Sequence, residues 1–444
     1  MYLGIAGVEQ SYRLLEDLSA IDGATATGNT MSIAANRLSF FYDLRGPSMA
    51  IDTACSSSLV AFHQACQAIL SGDVDQAVTG GISLHMHPFG FMIFAKATML
   101  SRTGRCQSFD ENGDGYARSE GGGLFLLKDY DQAVADGNTI LAVVAASAVN
   151  TDGRKSSLTL PNAEAQAALL KRAYAQAGIA PEQLDYLEAH GTGTAVGDPI
   201  ETRAIGEALG QARGAGNPLP IGSVKSNLGH LEAASGVAGL MKALNCLAER
   251  TVPATIGVQA LNPNIAFADL NLQVVTEPLP LKADGQLTVG VNSFGFGGAN
   301  AHVILQSPEP QAPAAQAASA RPARAVTAQC QERTRPARNR RALCRLPGRA
   351  APGRLLRCGL PGDVPPRCTQ PPPAAGLRQR GRSRPGAGRL CPGPDPQRTE
   401  CSAGGRPGSG RRLGTGVCLF RQRLAMAGHG PGDARPAAVR RRRG

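Results

Sequence analysis

The sequence predicts an α/β layered fold in which parallel strands alternate with helices, and three observations carry that prediction. Short apolar runs give way to helical periodicity around residues 49–70, 140–178 and 220–247. Each run ends in small, polar or glycine residues, and in open α/β sheets the loops at strand carboxyl ends are where sites form. Residues 51–61 and 224–234 also share a layout of strand, small polar turn, reactive side chain and small-residue helix. Two such halves facing one another bring Cys55 and His230 to a common centre.

In chain order, the pattern predicts a helix over 32–41, closed by Gly46-Pro47. Residues 49–51 have the length and polarity of a buried strand end, 52–58 are small, and 59–70 keep apolar side chains at helical spacing. Cys55 therefore sits at the first turn of a helix. Unpaired N–H groups and the positive end of the helix dipole are expected to lower its pKa and to hold an oxyanion. Ala54, Ser56 and Ser57 leave room for a substrate; the competing reading is a buried, unreactive thiol.

Residues 75–83 read as a short strand whose glycines permit close backbone approach. His85 and His87 have no Cys or carboxylate partner in sequence, so they are not assigned to a metal. Asp110, Asn112, Asp114 and Gly115 open like an EF-hand loop, but its twelfth position is Gly121, with Glu120 one residue early. A structural polar turn is expected there.

The apolar stretch 140–149 predicts a strand, 150–153 a turn, and 162–178 a helix with Ala167, Leu169, Leu170 and Ala173 on its inner face and Gly178 at its end. Residues 184–190 read as a strand delivering His190 to a permissive Gly-Thr-Gly-Thr loop. Residues 220–230 repeat the device with His230, ahead of an Ala- and Gly-rich helix at 231–247 expected to be buried.

Charge divides the chain. From residue 321 onward there are 28 Arg, no Lys and five acids, a net +23; with +12 for the whole chain, residues 1–320 carry −11. The basic balance belongs to the tail, which argues against a nucleic-acid function for the rest. Seven of the 11 Cys also lie in the tail, without metal-ligand spacing, and Cys55, Cys66, Cys106 and Cys246 suit a reduced, cytoplasmic protein. No apolar run reaches the roughly 20 residues that span a bilayer, and the first residues do not form a signal peptide.

Four ordered motifs, Asp52-Thr-Ala-Cys-Ser-Ser-Ser, Glu188-Ala-His-Gly-Thr-Gly-Thr, Lys225-Ser-Asn-Leu-Gly-His-Leu-Glu-Ala-Ala and Asn292-Ser-Phe-Gly-Phe-Gly-Gly-Ala-Asn, resemble those of β-ketoacyl synthase domains. The match is in particular to the ketosynthases of modular type I polyketide synthases, and it runs from about residue 3 to 305. The resemblance implies a thiolase-like duplicated α/β/α layered fold, with one half in residues 1–130 carrying the nucleophile and the other in 131–307 carrying both histidines. It implies a decarboxylative Claisen condensation in polyketide or fatty acid synthesis. Cys55 takes an acyl chain from the phosphopantetheine of an acyl carrier protein, and His190 and His230 stabilise the enolate formed from a malonyl thioester. The N–H groups of Cys55 and Phe296 form the oxyanion hole, Thr192 and Thr194 bind the pantetheine arm, and Lys225 and Glu232 order the site. No cofactor or metal is implied, and a homodimer is.

Two departures modify the expectation. Members of the family carry a long segment ahead of the region around Thr27, so the first half is expected to be incomplete and to expose strand edges. Residues 308–444, rich in Arg, Pro and Gly, are expected to be disordered. Their composition is what GC-rich codons give out of frame, and a shifted frame is expected to restore acyltransferase-like sequence. A genuine basic tail binding acidic carrier protein or nucleic acid is the competing reading. Two other functions remain open: a thiolase-type carbon–carbon cleaving enzyme, which would need a second cysteine where His230 stands, and an inactive fragment that dimerises or binds carrier protein.

Overall fold

Alternating strands and helices make up this computed structural model, which describes residues 1–308 and 417–420, all within one compact unit of the chain. The first half runs β1 (Tyr2–Gly4), α1 (Glu9–Glu16), α2 (Thr25–Asn29), α3 (Met31–Phe41), β2 (Met49–Ile51), α4 (Ser57–Leu70), β3 (Gln76–Ser83), α5 (Phe89–Lys96) and β4 (Gly121–Asp129). The second begins with α6 (Tyr130–Ala135), β5 (Val143–Thr151), α7 (Ala163–Ala177), β6 (Tyr186–Glu188), α8 (Gly197–Ile205), β7 (Leu219–Gly222), α9 (Lys225–Leu228) and α10 (Ser235–Glu249). It continues through β8 (Thr251–Val252), β9 (Leu272–Val274), β10 (Leu279–Pro280), β11 (Thr288–Phe294) and β12 (Ala299–Gln306), and β13 (Val417–Phe420) follows in the tail.

Among the described residues, 11 strands form one sheet in the order β2-β1-β3-β4-β13-β5-β12-β11-β6-β7-β9, and β8 pairs with β10 separately. The internal repeat is visible in this order. In the first half β1 is parallel to both β2 and β3, and β3 is antiparallel to β4. In the second half β6 is parallel to both β7 and β11, and β11 is antiparallel to β12. Strand β5 then lies antiparallel to β12 just as β13 lies antiparallel to β4. The tail strand thus takes the first-half position that β5 holds in the second, and it also pairs with β5.

The central helices set the site. Leu59, Phe62 and Ala65 of α4 share one core with Val237, Leu240 and Leu244 of α10 and with strand residues Leu127, Val289 and Val291. Each fully buried large side chain there contributes about 1.5–3 kcal/mol. Glycine allows the approach: a Cβ at Gly4 would lie 2.4 Å from the Ser58 nitrogen, and one at Gly236 would lie 2.8 Å from Ser58 Oγ. The start of α4 is therefore pressed against both β1 and α10. Elsewhere local signals operate as the residue types dictate: Asn162 Oδ1 accepts from the N–H groups of Glu164 and Ala165, and Gly178 ends α7 at φ 64°.

Several expectations change. Met49–Ile51 is an edge strand with Met49 43% exposed, because β2 has a partner on one side only. Cys55 precedes α4 itself, whose first residue is Ser57. The buried helix expected over 231–247 begins at Ser235, after a short 3-10 turn over Glu232–Ala234. In the first half, expected to expose strand edges, β4 is paired with β13, so four residues of the tail expected to be disordered form a strand. The rest of the tail lies outside the described residues.

Candidate active site

Cys55 is presented by a strained turn. Ala54 has φ 56°, a left-handed conformation unfavourable for a residue with a Cβ. The turn is tied down on several sides: the Ala54 N–H donates to Asp52 Oδ1 at 2.9 Å, and Ser57 Oγ accepts from the Thr53 N–H at 2.9 Å. Ser235 Oγ and Ser293 Oγ, from α10 and β11, both donate to the Cys55 carbonyl, at 2.8 and 2.9 Å. The second half of the fold thereby holds the backbone of the nucleophile candidate.

His190 follows β6, and Glu201 of α8 accepts from the N–H groups of His190 and Gly191 at 2.7 and 2.8 Å. His230 follows α9; its N–H donates to the Ala117 carbonyl at 2.7 Å, and its carbonyl accepts from the Ser119 N–H at 2.9 Å. The sulfur of Cys55 and ring nitrogens of His190 and His230 all lie within 4.8 Å of one another, and the two imidazoles meet edge to face with centroids 5.4 Å apart. Three residues separated along the chain are thus brought together.

The hydrogen bonds assign the tautomers. Nδ1 of His190 accepts from the Phe294 N–H at 3.3 Å, and Nδ1 of His230 accepts from the Glu232 N–H at 2.9 Å. With Nδ1 an acceptor in each ring, the proton of the neutral imidazole is on Nε2. Burial and the neighbouring Lys225 charge push both histidines well below the usual imidazole range, so both remain neutral donors. The three side chains have the spacing of a metal-ligand group. The Lys225 ammonium beside them disfavours a cation there.

Burial has the opposite effect on Cys55 from that expected of a helix N-terminus. Desolvation, reinforced by Glu232, pushes the thiol up to about 11; Lys225 and the backbone N–H groups of Phe296 and Cys55 oppose it without prevailing. Those two N–H groups nevertheless lie against the sulfur.

A cavity of about 820 Å³ contains this centre, with Cys55, His190, His230, Thr192, Thr194 and Phe296 in its wall. The hydroxyls of Thr192 and Thr194 are 3.1 Å apart. Phe296 packs edge-on against Phe94 with centroids 6.0 Å apart. Gly295 makes this loop possible, since a Cβ there would lie 2.4 Å from the Thr53 carbonyl. Burial lowers the pKa of Lys225, and the nearby Glu188 and Glu201 oppose that shift by favouring its charge. Glu232 pairs with Arg118 at 2.6 Å.

Sequence alone does not single out Glu201 or Arg118. Glu201 has a weak signal, an acid just beyond the Gly-Thr-Gly-Thr loop; Arg118, in a segment that reads as a polar turn, has none. The EF-hand-like stretch is cross-tied: Asp110 Oδ2 accepts from the N–H groups of Gln259 and Ala260 at 2.6 and 3.0 Å.

A duplicated α/β/α sheet with a cysteine and two histidines converging from its two halves defines a thiolase-like protein. The chain belongs to the β-ketoacyl synthase family: residues 1–133 match the β-ketoacyl synthase N-terminal domain, 141–259 its C-terminal domain, and 262–342 the ketoacyl-synthetase C-terminal extension. It is 49% identical over 299 residues to a phenolphthiocerol/phthiocerol polyketide synthase of Mycobacterium tuberculosis, covering 67% of this chain and 16% of that protein. It is 44% identical over 306 residues to a highly reducing polyketide synthase of Neurospora crassa, covering 67% of this chain and 13% of the relative. Among solved structures, it resembles the oxazolomycin ketosynthase domain OzmH KS7 of Streptomyces albus JA3453, with TM-score 0.67, 40% identity, and coverage of 70% of this chain and 55% of that one. The ketosynthase from module 6 of the Bacillus subtilis 168 bacillaene synthase matches with TM-score 0.65 and 39% identity over 69% of this chain and 54% of its own. The chain thus spans 16% and 13% of the two polyketide synthases and about half of the two solved ketosynthase chains.

Proposed function

We propose that the chain is a β-ketoacyl synthase that joins an acyl group held on Cys55 to a malonyl-type extender in polyketide synthesis. The observation that carries the reading is the meeting of the Cys55 sulfur with two neutral imidazoles whose Nδ1 atoms are both occupied by backbone donors. In the first step the Cys55 sulfur attacks an acyl thioester; the acyl–sulfur bond to pantetheine breaks, and the thiol proton leaves with the pantetheine sulfur. The N–H groups of Cys55 and Phe296 receive the negative oxygen of the tetrahedral intermediate. In the second step the malonyl thioester loses carbon dioxide, and the Nε2–H groups of His190 and His230 hold the resulting enolate oxygen. The enolate carbon then attacks the Cys55 thioester, a carbon–carbon bond forms as the acyl–sulfur bond breaks, and the cysteine sulfur departs as thiolate and takes a proton from solvent. Lys225 contributes positive charge to a buried site in which negative charge develops twice.

Thr192 and Thr194, in the cavity wall, suit the amide and hydroxyl groups of a pantetheine arm. An acyl carrier protein is the corresponding partner, and a homodimer and a cytoplasmic location complete the reading. Cys55, Cys66, Cys106 and Cys246 are free, and no described helix is long and apolar enough to cross a membrane. Residues 1–130 and 131–307 are the two halves in this scheme.

The test has two parts. Incubation with the acetyl thioester of N-acetylcysteamine should add one acetyl group to the full chain, absent in Cys55→Ala, as read by intact mass. Malonyl-carrier protein labelled in its free carboxyl should release labelled carbon dioxide. Failure of both would overturn the condensing-enzyme reading, and acylation without decarboxylation would favour thiolase-type chemistry.

A further inference from the structure

His230 depends on a charged cluster in the same cavity wall. Its Nδ1 accepts from the Glu232 N–H at 2.9 Å, and that N–H points the right way because Glu232 is held at φ 46°. Such a conformation is unfavourable for a residue with a Cβ and persists only where surroundings impose it. The Glu232 carboxylate is gripped by the Arg118 fork, Nε to Oε1 at 2.6 Å and Nη2 to Oε2 at 2.9 Å. Arg118 is itself fixed. Its Nη2 also donates to Glu9 Oε1 at 3.2 Å, its guanidinium lies 4.5 Å from the centroid of Phe91, and its side chain is only 4% exposed. A Cβ at Gly90 would fall 2.3 Å from Arg118 Nη1, so glycine leaves the space the guanidinium fills. The backbone on either side of Arg118 clamps His230 through Ala117 and Ser119.

We propose that Arg118 is a positioning residue that fixes the His230 tautomer: its fork on Glu232 holds the strained backbone whose N–H occupies Nδ1, which keeps the proton on Nε2. The inference rests on the condensing-enzyme reading for its catalytic consequence, though not for its structural one. An arginine suits the task because one planar group grips the Glu232 carboxylate bidentately and still reaches Glu9, which a lysine cannot do. Decarboxylation needs the Nε2–H donor of His230, whereas acylation of Cys55 uses backbone donors from another loop. The two half-reactions should therefore separate.

The full chain, with 15N-labelled histidine and a His230→Gln variant to assign the signal, gives the direct readout. The unaltered chain should show neutral His230 protonated at Nε2, and Arg118→Met and Arg118→Lys should show a mixture of tautomers. In the same variants, carbon dioxide release from malonyl-carrier protein should fall about tenfold or more, while acetylation of Cys55 changes less than about twofold. Arg118→Met leaves two acids unpaired; if it fails to fold, Arg118→Lys, which keeps the charge and loses the fork, decides. An unchanged His230 spectrum in the folded variants, or an equal fall in both half-reactions, overturns the proposal. An unaltered chain that performs neither half-reaction sinks the condensing-enzyme reading, and the tautomer measurement still decides the role of Arg118.

Discussion

Ser293 Oγ donates to the Cys55 carbonyl oxygen at 2.9 Å across 238 residues of chain, and Ser235 Oγ reaches the same oxygen at 2.8 Å. Both donors are buried. Replacing both by alanine leaves that carbonyl without its side-chain partners, at a cost of about 1–3 kcal/mol. The Ser235→Ala/Ser293→Ala protein should melt at a lower temperature and acylate Cys55 more slowly, as followed by thermal unfolding and by intact mass against time.

Gly295→Ala should impair both catalysis and stability. The added methyl would stand 2.4 Å from the Thr53 carbonyl, forcing apart the loops that carry Phe296 and Cys55. Losing one oxyanion donor typically lowers turnover by about 10²–10³-fold. The acylation rate should fall by that order and the melting temperature should drop with it; an unchanged rate in the folded variant would remove Phe296 from the proposed oxyanion hole.

The two histidines should act on the decarboxylation step. His190→Ala and His230→Ala are each expected to lower carbon dioxide release by about 10²–10³-fold. Single-turnover acylation of Cys55 should persist in both.

Acid should destabilise the fold. Burial pushes His302 down to about 3 and also lowers His63, His190 and His230. All four regain an ordinary pKa near 6.5 on unfolding, so below that pH the unfolded chain binds protons the native chain refuses. Asp198, pushed up to about 7 by burial, and Glu201, also raised, act in the opposite direction. Four groups against two leave a net loss of stability as pH falls below 6.5, measurable as a falling melting temperature. At the other extreme, alkylation of Cys55 by iodoacetamide should accelerate from pH 9 towards 11, because burial raises its pKa to about 11.

Strand β13 makes a prediction about the tail. It pairs with β4 on one side and β5 on the other. A chain ending at residue 308 would lose those ladders and expose two strand edges, so it should melt lower and aggregate more readily than the full chain.

Much of this architecture is legible in the sequence because it rests on local chemistry. Asn162 and Gly178 mark the ends of a helix by capping, and the turn residues before Ser57 and after Glu188 mark strand-to-helix junctions. The convergence of Cys55, His190 and His230 follows from the repeated layout and from motif resemblance. Less local features are hidden. Arg118 gives no periodic or motif signal, since its importance arises from Glu9 and Glu232, which lie 109 and 114 residues away along the chain. The Cys55 pKa moves against the sequence expectation because helix-end electrostatics can be inferred from residue order, whereas the extent of desolvation depends on what covers the sulfur.

The bonds from Ser235 and Ser293 to the Cys55 carbonyl have a consequence for engineering. The loop bearing the sulfur is finished only when a remote part of the polypeptide docks on it, so neither half is a portable cassette. A split-protein version cut between β4 and β5 should regain acylation only on reassembly, and a chimera that exchanges one half should be repaired at positions 235 and 293 before anything is changed in the cavity.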